Sequence, residues 1–253
     1  MIRRAIPYAL GLTLAAGSCL PALAMASSGG AGATSGGGSF QPGGSQTAGP
    51  VAQPGDIPVS ATGDGITISS TASAILRHGL LVNGTAPLND AGRSVAVEIW
   101  GAKTHSIWET VATAQVAANG SFSAVWETNH IGRFSIRAVI GSAGAASASA
   151  SVPTVSVTVY RPSLATLYGP GFYGKRTACG EVLRRNTIGV ANRTLPCGTP
   201  VAIYYQGRTL IVPVIDRGPY AHGADWDLTM ATGRALGMQT TETLGAVSLP
   251  RGS

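Results

Sequence analysis

The 253-residue chain is short of charge and of aromatic rings. Asp, Glu, Lys and Arg make up 11% of it and Phe, Trp and Tyr 6%, where an average soluble protein is roughly 25% charged. A coiled coil or a long solvated helix draws on ion pairs along its faces, so neither fits. Basic residues outnumber acidic ones by 17 to 11, a formal +6, too small an excess for a polybasic disordered chain. Apolar runs long enough to approach a bilayer span occur only at the extreme N-terminus, so no internal segment is a transmembrane candidate. Cysteine is scarce, at three residues, whereas glycine (35) and proline (15) are plentiful. The balance points to an exported, glycine-rich, all-β protein.

Export is read from the first 26 residues. Arg3 and Arg4 form a positive start, Ile6 to Leu14 an apolar stretch, and Ala22-Leu23-Ala24 or Ala24-Met25-Ala26 a small-residue cleavage site, the layout of a secretory signal peptide. Gly11, Gly17 and Pro21 interrupt the run, against an uncleaved membrane anchor. Ala16-Gly17-Ser18-Cys19 is a weaker, lipobox-like alternative that would place a lipid anchor at Cys19. The mature chain is thus expected in the cell envelope or outside the cell. Cleavage leaves two cysteines, Cys179 and Cys197, an even number in an oxidising compartment. A disulfide between them is the better reading, because two thiols without nearby histidine make a poor zinc site. No metal or cofactor is expected.

Residues 27–65 are Gly, Ser, Ala, Thr, Gln and Pro with almost no charge, which reads as a linker. Residues 66–160 carry period-two alternation at Ser94–Trp100, Ser121–Trp126 and Arg133–Val139, with turn signals at Asn83-Gly84, Asn89–Gly92 and Asn119-Gly120. Such spacing predicts a small antiparallel sandwich. Trp100, Trp108 and Trp126 are expected in its core, with sugar-stacking platforms as the alternative, and His78, His105 and His130 lack ligand spacing. The pattern resembles bacterial immunoglobulin-like modules, which act as spacers or adhesive units.

Charge is uneven along the chain. Residues 27–160 hold five basic and six acidic side chains (net −1), and residues 161–253 hold ten and five (net +5). An anionic partner is therefore expected for the C-terminal part. Nucleic acid is not, since no recognition-helix pattern is present. There Leu164–Tyr168 reads as a strand entering a glycine loop with aromatics. Pro200–Tyr205 and Thr209–Ile215 form a hairpin around Gln206-Gly207, the second strand apolar enough to be covered on both faces, although Pro213 argues against a central position. Met230–Leu236 reads as a short helix closed by Gly237, with Asp227 or Thr229 as its N-cap. Asp216 ends an apolar strand, where burial can raise a carboxyl's pKa into the range of a general acid, and a turn aspartate bonded to local backbone is the plainer alternative. Trp226 is either a sugar platform or packing.

Five motifs carry a resemblance: Tyr168-Gly169-Pro170-Gly171-Phe172, Thr177-Ala178-Cys179-Gly180-Glu181, Arg193-Thr194-Leu195-Pro196-Cys197, Val214-Ile215-Asp216-Arg217-Gly218-Pro219 and Trp226-Asp227-Leu228-Thr229. In order and spacing the segment from Leu164 to Leu249 resembles the RlpA-type double-psi β-barrel, shared with expansins and certain lytic transglycosylases. The resemblance implies a peptidoglycan or other cell-wall glycan as partner. It implies Asp216 as general acid/base with Glu181 beside it, and a glycan groove of Asn192, Tyr168, Phe172, Tyr173, Trp226, Asp227 and Arg217, where Asp227 matches the key aspartate of expansins. Cys179 stands where the family has Ser and Cys197 where it has an apolar residue, which supports a bridge between those loops. Asn192 stands where catalytic members have His, and an amide cannot trade protons. Two functions follow as expectations: lytic transglycosylase-like cleavage, or non-catalytic, expansin-like binding and wall loosening. The third and weakest is a surface adhesin.

Overall fold

In a computed structural model of the protein, which describes residues 53–54, 56–141, 152–220 and 223–250, the alternating segments are strands. The segment read as a signal peptide, Cys19 and most of the Gly/Ser/Pro segment lie outside the described residues. The first strands are β1 (Gln53–Pro54), β2 (Pro58–Gly63), β3 (Ile66–Thr71), β4 (Ser73–Ile75), β5 (Gly79–Thr85), β6 (Ser94–Trp100), β7 (Glu109–Gln115), β8 (Ser121–Glu127) and β9 (Gly132–Ile140). β10 (Thr154–Tyr168), β11 (Val190–Ala191), β12 (Pro200–Tyr205), β13 (Arg208–Asp216), β14 (Trp226–Thr229), helix α1 (Met230–Leu236) and β15 (Glu242–Ser248) follow.

Two antiparallel sheets share one apolar core in the first part. One has the order β2-β3-β5-β8 and the other pairs β7, β6, β9 and the first half of β10. Alternation sends Leu80 and Val82 of β5 and Phe122, Ala124 and Trp126 of β8 inward, against Val97, Ile136 and Val157 from the facing sheet. Trp126 is 1% exposed and meets Phe134 edge-on at 5.5 Å. Trp108 lies under the Arg137 guanidinium, 4.0 Å from its ring centre. Trp100 departs from the expectation: as the last residue of β6, past the buried run of that strand, it is 41% exposed.

Two boundaries differ from the sequence reading. β2 falls inside the stretch read as linker, because Val59 and Ala61 alternate onto the same core. Asn83-Gly84, read as a turn, lies within β5. A Cβ on Gly84 would stand 2.2 Å from the Phe122 ring and 2.4 Å from the Thr67 carbonyl, so this glycine serves close approach across the sheet.

β10 is one strand of 15 residues that passes the expected boundary at residue 160 unbroken. Its first half pairs with β9 and β4, its second half with β15 and β14. A small cluster of Tyr160, Ala202, Val247 and Leu249, flanked by Ile75 and Tyr204, fills the junction. Tyr160 and Tyr204 stack at 5.5 Å, and the Tyr204 hydroxyl donates to Asp56 at 2.7 Å. β1 pairs with β13, so the chain ahead of the first sheet also reaches the second part.

The second part closes on itself. Six strands run in the order β14-β11-β13-β12-β15-β10, and a parallel β10–β14 pairing shuts the barrel around Val190, Val201, Ile203, Val212, Val214 and Leu228. β13 alternates instead of being covered on both faces: Ile211 is 46% exposed. Pro213 is accommodated inside this order because its partner on β12 is Pro200; neither can donate, so no ladder donor is lost. Thr229 caps α1 by accepting the Thr232 N–H, and Gly237 ends it at φ 82°, a left-handed value suited to glycine.

Candidate functional site

Strand register builds the site. Ala191 of β11 is the partner of Asp216 on β13 and of Asp227 on β14, and Asp227 is in turn the partner of Thr166 on β10. Thr166, Asp227, Ala191 and Asp216 thus form one row across four neighbouring strands, each step about 4.8 Å. Tyr168 lies two residues beyond Thr166, on the same face of β10.

Asp216 is half-buried. Its Oδ1 accepts the backbone N–H of Ala178 and of Arg217, both at 2.8 Å. No hydrogen bond reaches Oδ2 among the described residues, so half of the carboxylate is tied to backbone and half is open. Asp227 accepts the Thr166 hydroxyl at 2.7 Å. Burial pushes its carboxyl above the usual aspartate range and the Asp216 charge adds to that, while the Thr166 bond opposes it. The Tyr168 hydroxyl is buried with no hydrogen-bond partner among the described residues. Burial drives its pKa well above the ordinary tyrosine value, and the charges of Asp216, Asp227 and Glu181 push the same way. One unpartnered phenol therefore sits in the field of three carboxylate charges.

The remaining expected residues divide. Glu181 is exposed at the rim. Phe172 is 53% exposed and edge-on to Tyr168 at 6.1 Å, with the Lys175 ammonium 5.4 Å from its ring centre. Tyr173 carries the Arg185 guanidinium at 5.3 Å. Arg217 reaches the Asn192 carbonyl and the Cys197 sulfur, each at 3.4 Å. Asn192 donates its backbone N–H to the Asp216 carbonyl, but its side-chain oxygen accepts the N–H groups of Thr194 and Leu195. It shapes its own turn and does not hold the Asp216 carboxylate. Trp226 is 8% exposed and belongs to the barrel core; packing, not an open sugar platform, is its place, although it lines a cavity of about 270 Å³ with Asn192, Arg193 and Thr194.

Cys179 and Cys197 are joined by a disulfide, with Cα atoms 5.7 Å apart. It ties the loop that supplies the Ala178 N–H to the loop before β12. Two contributors were not singled out from sequence: Thr166, legible only as the residue two before Tyr168, and Arg193, which donates to the Pro219 and Ala224 carbonyls at 3.0 Å each. Among the described residues no group of three or more His, Cys, Asp or Glu side chains is placed to hold a metal ion. No helix among them is long and apolar enough to cross a membrane.

Residues 163–248 match the family described as lytic transglycolase. The C-terminal third is an RlpA-like double-psi β-barrel. Over 80 residues it is 41% identical to the "Probable endolytic peptidoglycan transglycosylase RlpA" of Synechocystis sp., covering 31% of this chain and 25% of that one. Over 94 residues it is 34% identical to the endolytic peptidoglycan transglycosylase RlpA of Campylobacter jejuni, covering 36% and 34%. The chain thus spans about a quarter to a third of the length of these relatives. Among solved structures, a biofilm associated protein BSP domain aligns over 78% of this chain and 28% of that one at 13% identity and a TM-score of 0.23, too slight a likeness to carry an argument.

Proposed function

We propose that the protein is exported to the cell envelope and cleaves peptidoglycan glycan in the manner of a lytic transglycosylase, using the carboxyl row of the RlpA-like barrel. The observation that carries this reading is the register that flanks Ala191 with Asp216 and Asp227, next to an unpartnered buried hydroxyl. A buried polar group left without a partner is costly, and a site that binds a polyhydroxyl ligand is a place where that cost is met by substrate. The matching relatives, named as peptidoglycan transglycosylases, support the substrate class.

The chemistry needs one proton donor and one acceptor. Asp227, whose carboxyl is pushed above the usual aspartate range by burial, gives a proton to the glycosidic oxygen as its bond to the MurNAc anomeric carbon breaks. The C6 hydroxyl of the same sugar attacks the anomeric carbon, closing a 1,6-anhydro ring, and its proton passes to the open oxygen of Asp216. No water is consumed, in contrast to two-carboxylate hydrolysis. The sequence reading put acid and base on Asp216 with Glu181 as second; here Asp216 shares the work with Asp227, and Glu181 acts through its charge at the rim. Arg217 and Phe172 contact glycan. The first module is read as an immunoglobulin-like sandwich that spaces the barrel from the envelope.

One observation favours the runner-up, expansin-like binding without cleavage. Asn192 replaces the family's histidine, and its side chain is committed to a turn. Incubating the mature protein with purified sacculi and analysing the products by mass spectrometry separates the two. Anhydro-muropeptides from wild type, and none from Asp216→Asn or Asp227→Asn, support cleavage. Binding without new chain ends supports the runner-up.

A further inference from the structure

Three adjoining cavities run along the junction between the two-sheet module and the barrel. The first, about 550 Å³, is lined by Trp100, Lys103, Arg133, Phe134, Val247 and Leu249. The second is the cavity of about 270 Å³ that holds Asn192, Arg193 and Trp226, and it shares Ile131, Val247 and Ser248 with the first. The third, about 650 Å³, adds Arg77 and His130 and shares Ile131 and Arg161 with the second. Ile131 borders all three, so they form one trough whose inner end reaches Asn192, the residue after the strand position flanked by Asp216 and Asp227.

The lining has a consistent chemistry. Five cations border it, Arg77, Lys103, Arg133, Arg161 and Arg193, and among the described residues none has a carboxylate within ion-pair distance. Arg193 already donates to the Pro219 and Ala224 carbonyls, which leaves the other four to meet a ligand. The acid lining it is Asp225, whose Oδ2 already accepts the Leu164 N–H at 3.2 Å. Trp100 supplies an exposed indole in a module that otherwise covers its tryptophans, beside the apolar surface of Phe134, Val247 and Leu249.

We propose that this trough is a second binding site, for a carboxylate-bearing glycan strand, so that the two-sheet module holds substrate as well as spacing it. Free lactyl carboxylates pair with Arg77, Arg133, Arg161 and Lys103, and the apolar face of a sugar ring lies on Trp100. The identity of the strand rests on the reading in the previous subsection; the binding does not, since it is measured without cleavage. β10 joins the two cavities, because it contributes Ser156 to the first and Arg161 to the second.

The test uses the full mature chain carrying Asp216→Asn, so that no strand is cut, and denuded glycan strands with free lactyl groups as the probe. Trp100→Ala, which removes an apolar ring contact, and the pair Arg133→Ala/Arg161→Ala, which removes charge-assisted contacts, are each expected to weaken binding about tenfold. Neutral chitooligosaccharides of equal length are expected to bind at least as weakly as strands bind the arginine pair variant. If Trp100→Ala lowers the melting temperature, Lys103→Glu, an exposed side chain, takes its place with the same expectation. Unchanged strand affinity in these variants overturns the proposal, as does equal affinity for the neutral oligosaccharide or tighter binding of vesicles rich in anionic lipid. Trough binding without anhydro products from the unmutated protein overturns the cleavage reading alone.

Discussion

The two halves of the molecule treat buried polar groups in opposite ways. In the two-sheet module Glu98 is 3% exposed, and Arg137 meets it at 2.7 Å while stacking on Trp108. Charge there is paired, covered and used to hold strands together. In the RlpA-like barrel Asp227 keeps a proton-favouring environment, Asp216 leaves one oxygen open, and the Tyr168 hydroxyl has no partner among the described residues. A fold satisfies its polar groups where it needs stability, and leaves them short of partners where something else is to bind. The contrast is consistent with the barrel being the end of the chain proposed to bind glycan.

The comparison breaks most visibly on the barrel side. Asp227→Asn and Asp216→Asn should each lower the rate of anhydro-end formation on sacculi about 10²- to 10⁴-fold, the range for loss of general acid–base help, with the melting temperature nearly unchanged. The mirror experiment is Glu98→Gln. It strands the buried Arg137 charge and should cost about 3–5 kcal/mol in denaturant unfolding, while the folded fraction cleaves at the normal rate. If Glu98→Gln instead cost nothing and abolished cleavage, the division between the halves would be wrong.

Reducing the Cys179–Cys197 bridge should cost about 3 kcal/mol by loop entropy, read as a lower denaturation midpoint for the reduced protein than for the oxidised one. The same reduction frees the loop that carries the Ala178 N–H, so cleavage should fall further than unfolding alone explains. A smaller effect is expected of Tyr168→Phe. Removing a hydroxyl that has no protein partner should leave stability unchanged or raise it by about 1 kcal/mol, yet weaken glycan cleavage.

The smallest effect is pH-linked. Asp227 has its folded pKa above its unfolded value, so the folded state binds more protons between the two, and stability is greatest below the ordinary aspartate range and declines as pH rises through the raised value. Asp227→Asn should flatten that slope in thermal melts taken across mildly acid pH. Cleavage should fall on the same alkaline side, as the acid loses its proton.

Much of this was legible in the chain. Alternation located β6, β8 and β9, the Gln206-Gly207 turn located the hairpin, and the cysteine count located the bridge. Legibility failed where long-range packing overrode a local signal. Asn83-Gly84 looks like a turn until Phe122 needs the space above the glycine. Pro213 looks like an edge residue until it is set against Pro200. Trp226, beside two carboxylates, reads from sequence as either platform or packing, and only its place in the barrel core decides for packing. The site itself is a matter of register: Thr166, Ala191, Asp216 and Asp227 are far apart in sequence and become neighbours only once β10, β11, β13 and β14 pair. Nothing local announces that β10 crosses from one sheet system into the other.

The most direct test is digestion of purified sacculi by the mature protein in heavy-oxygen water, followed by mass spectrometry of the new glycan ends. The carboxyl row should yield 1,6-anhydro ends that carry no solvent oxygen, formed about a hundredfold or more slowly by Asp227→Asn. Reducing ends labelled by the solvent, or anhydro ends that persist undiminished in Asp227→Asn, would contradict the account.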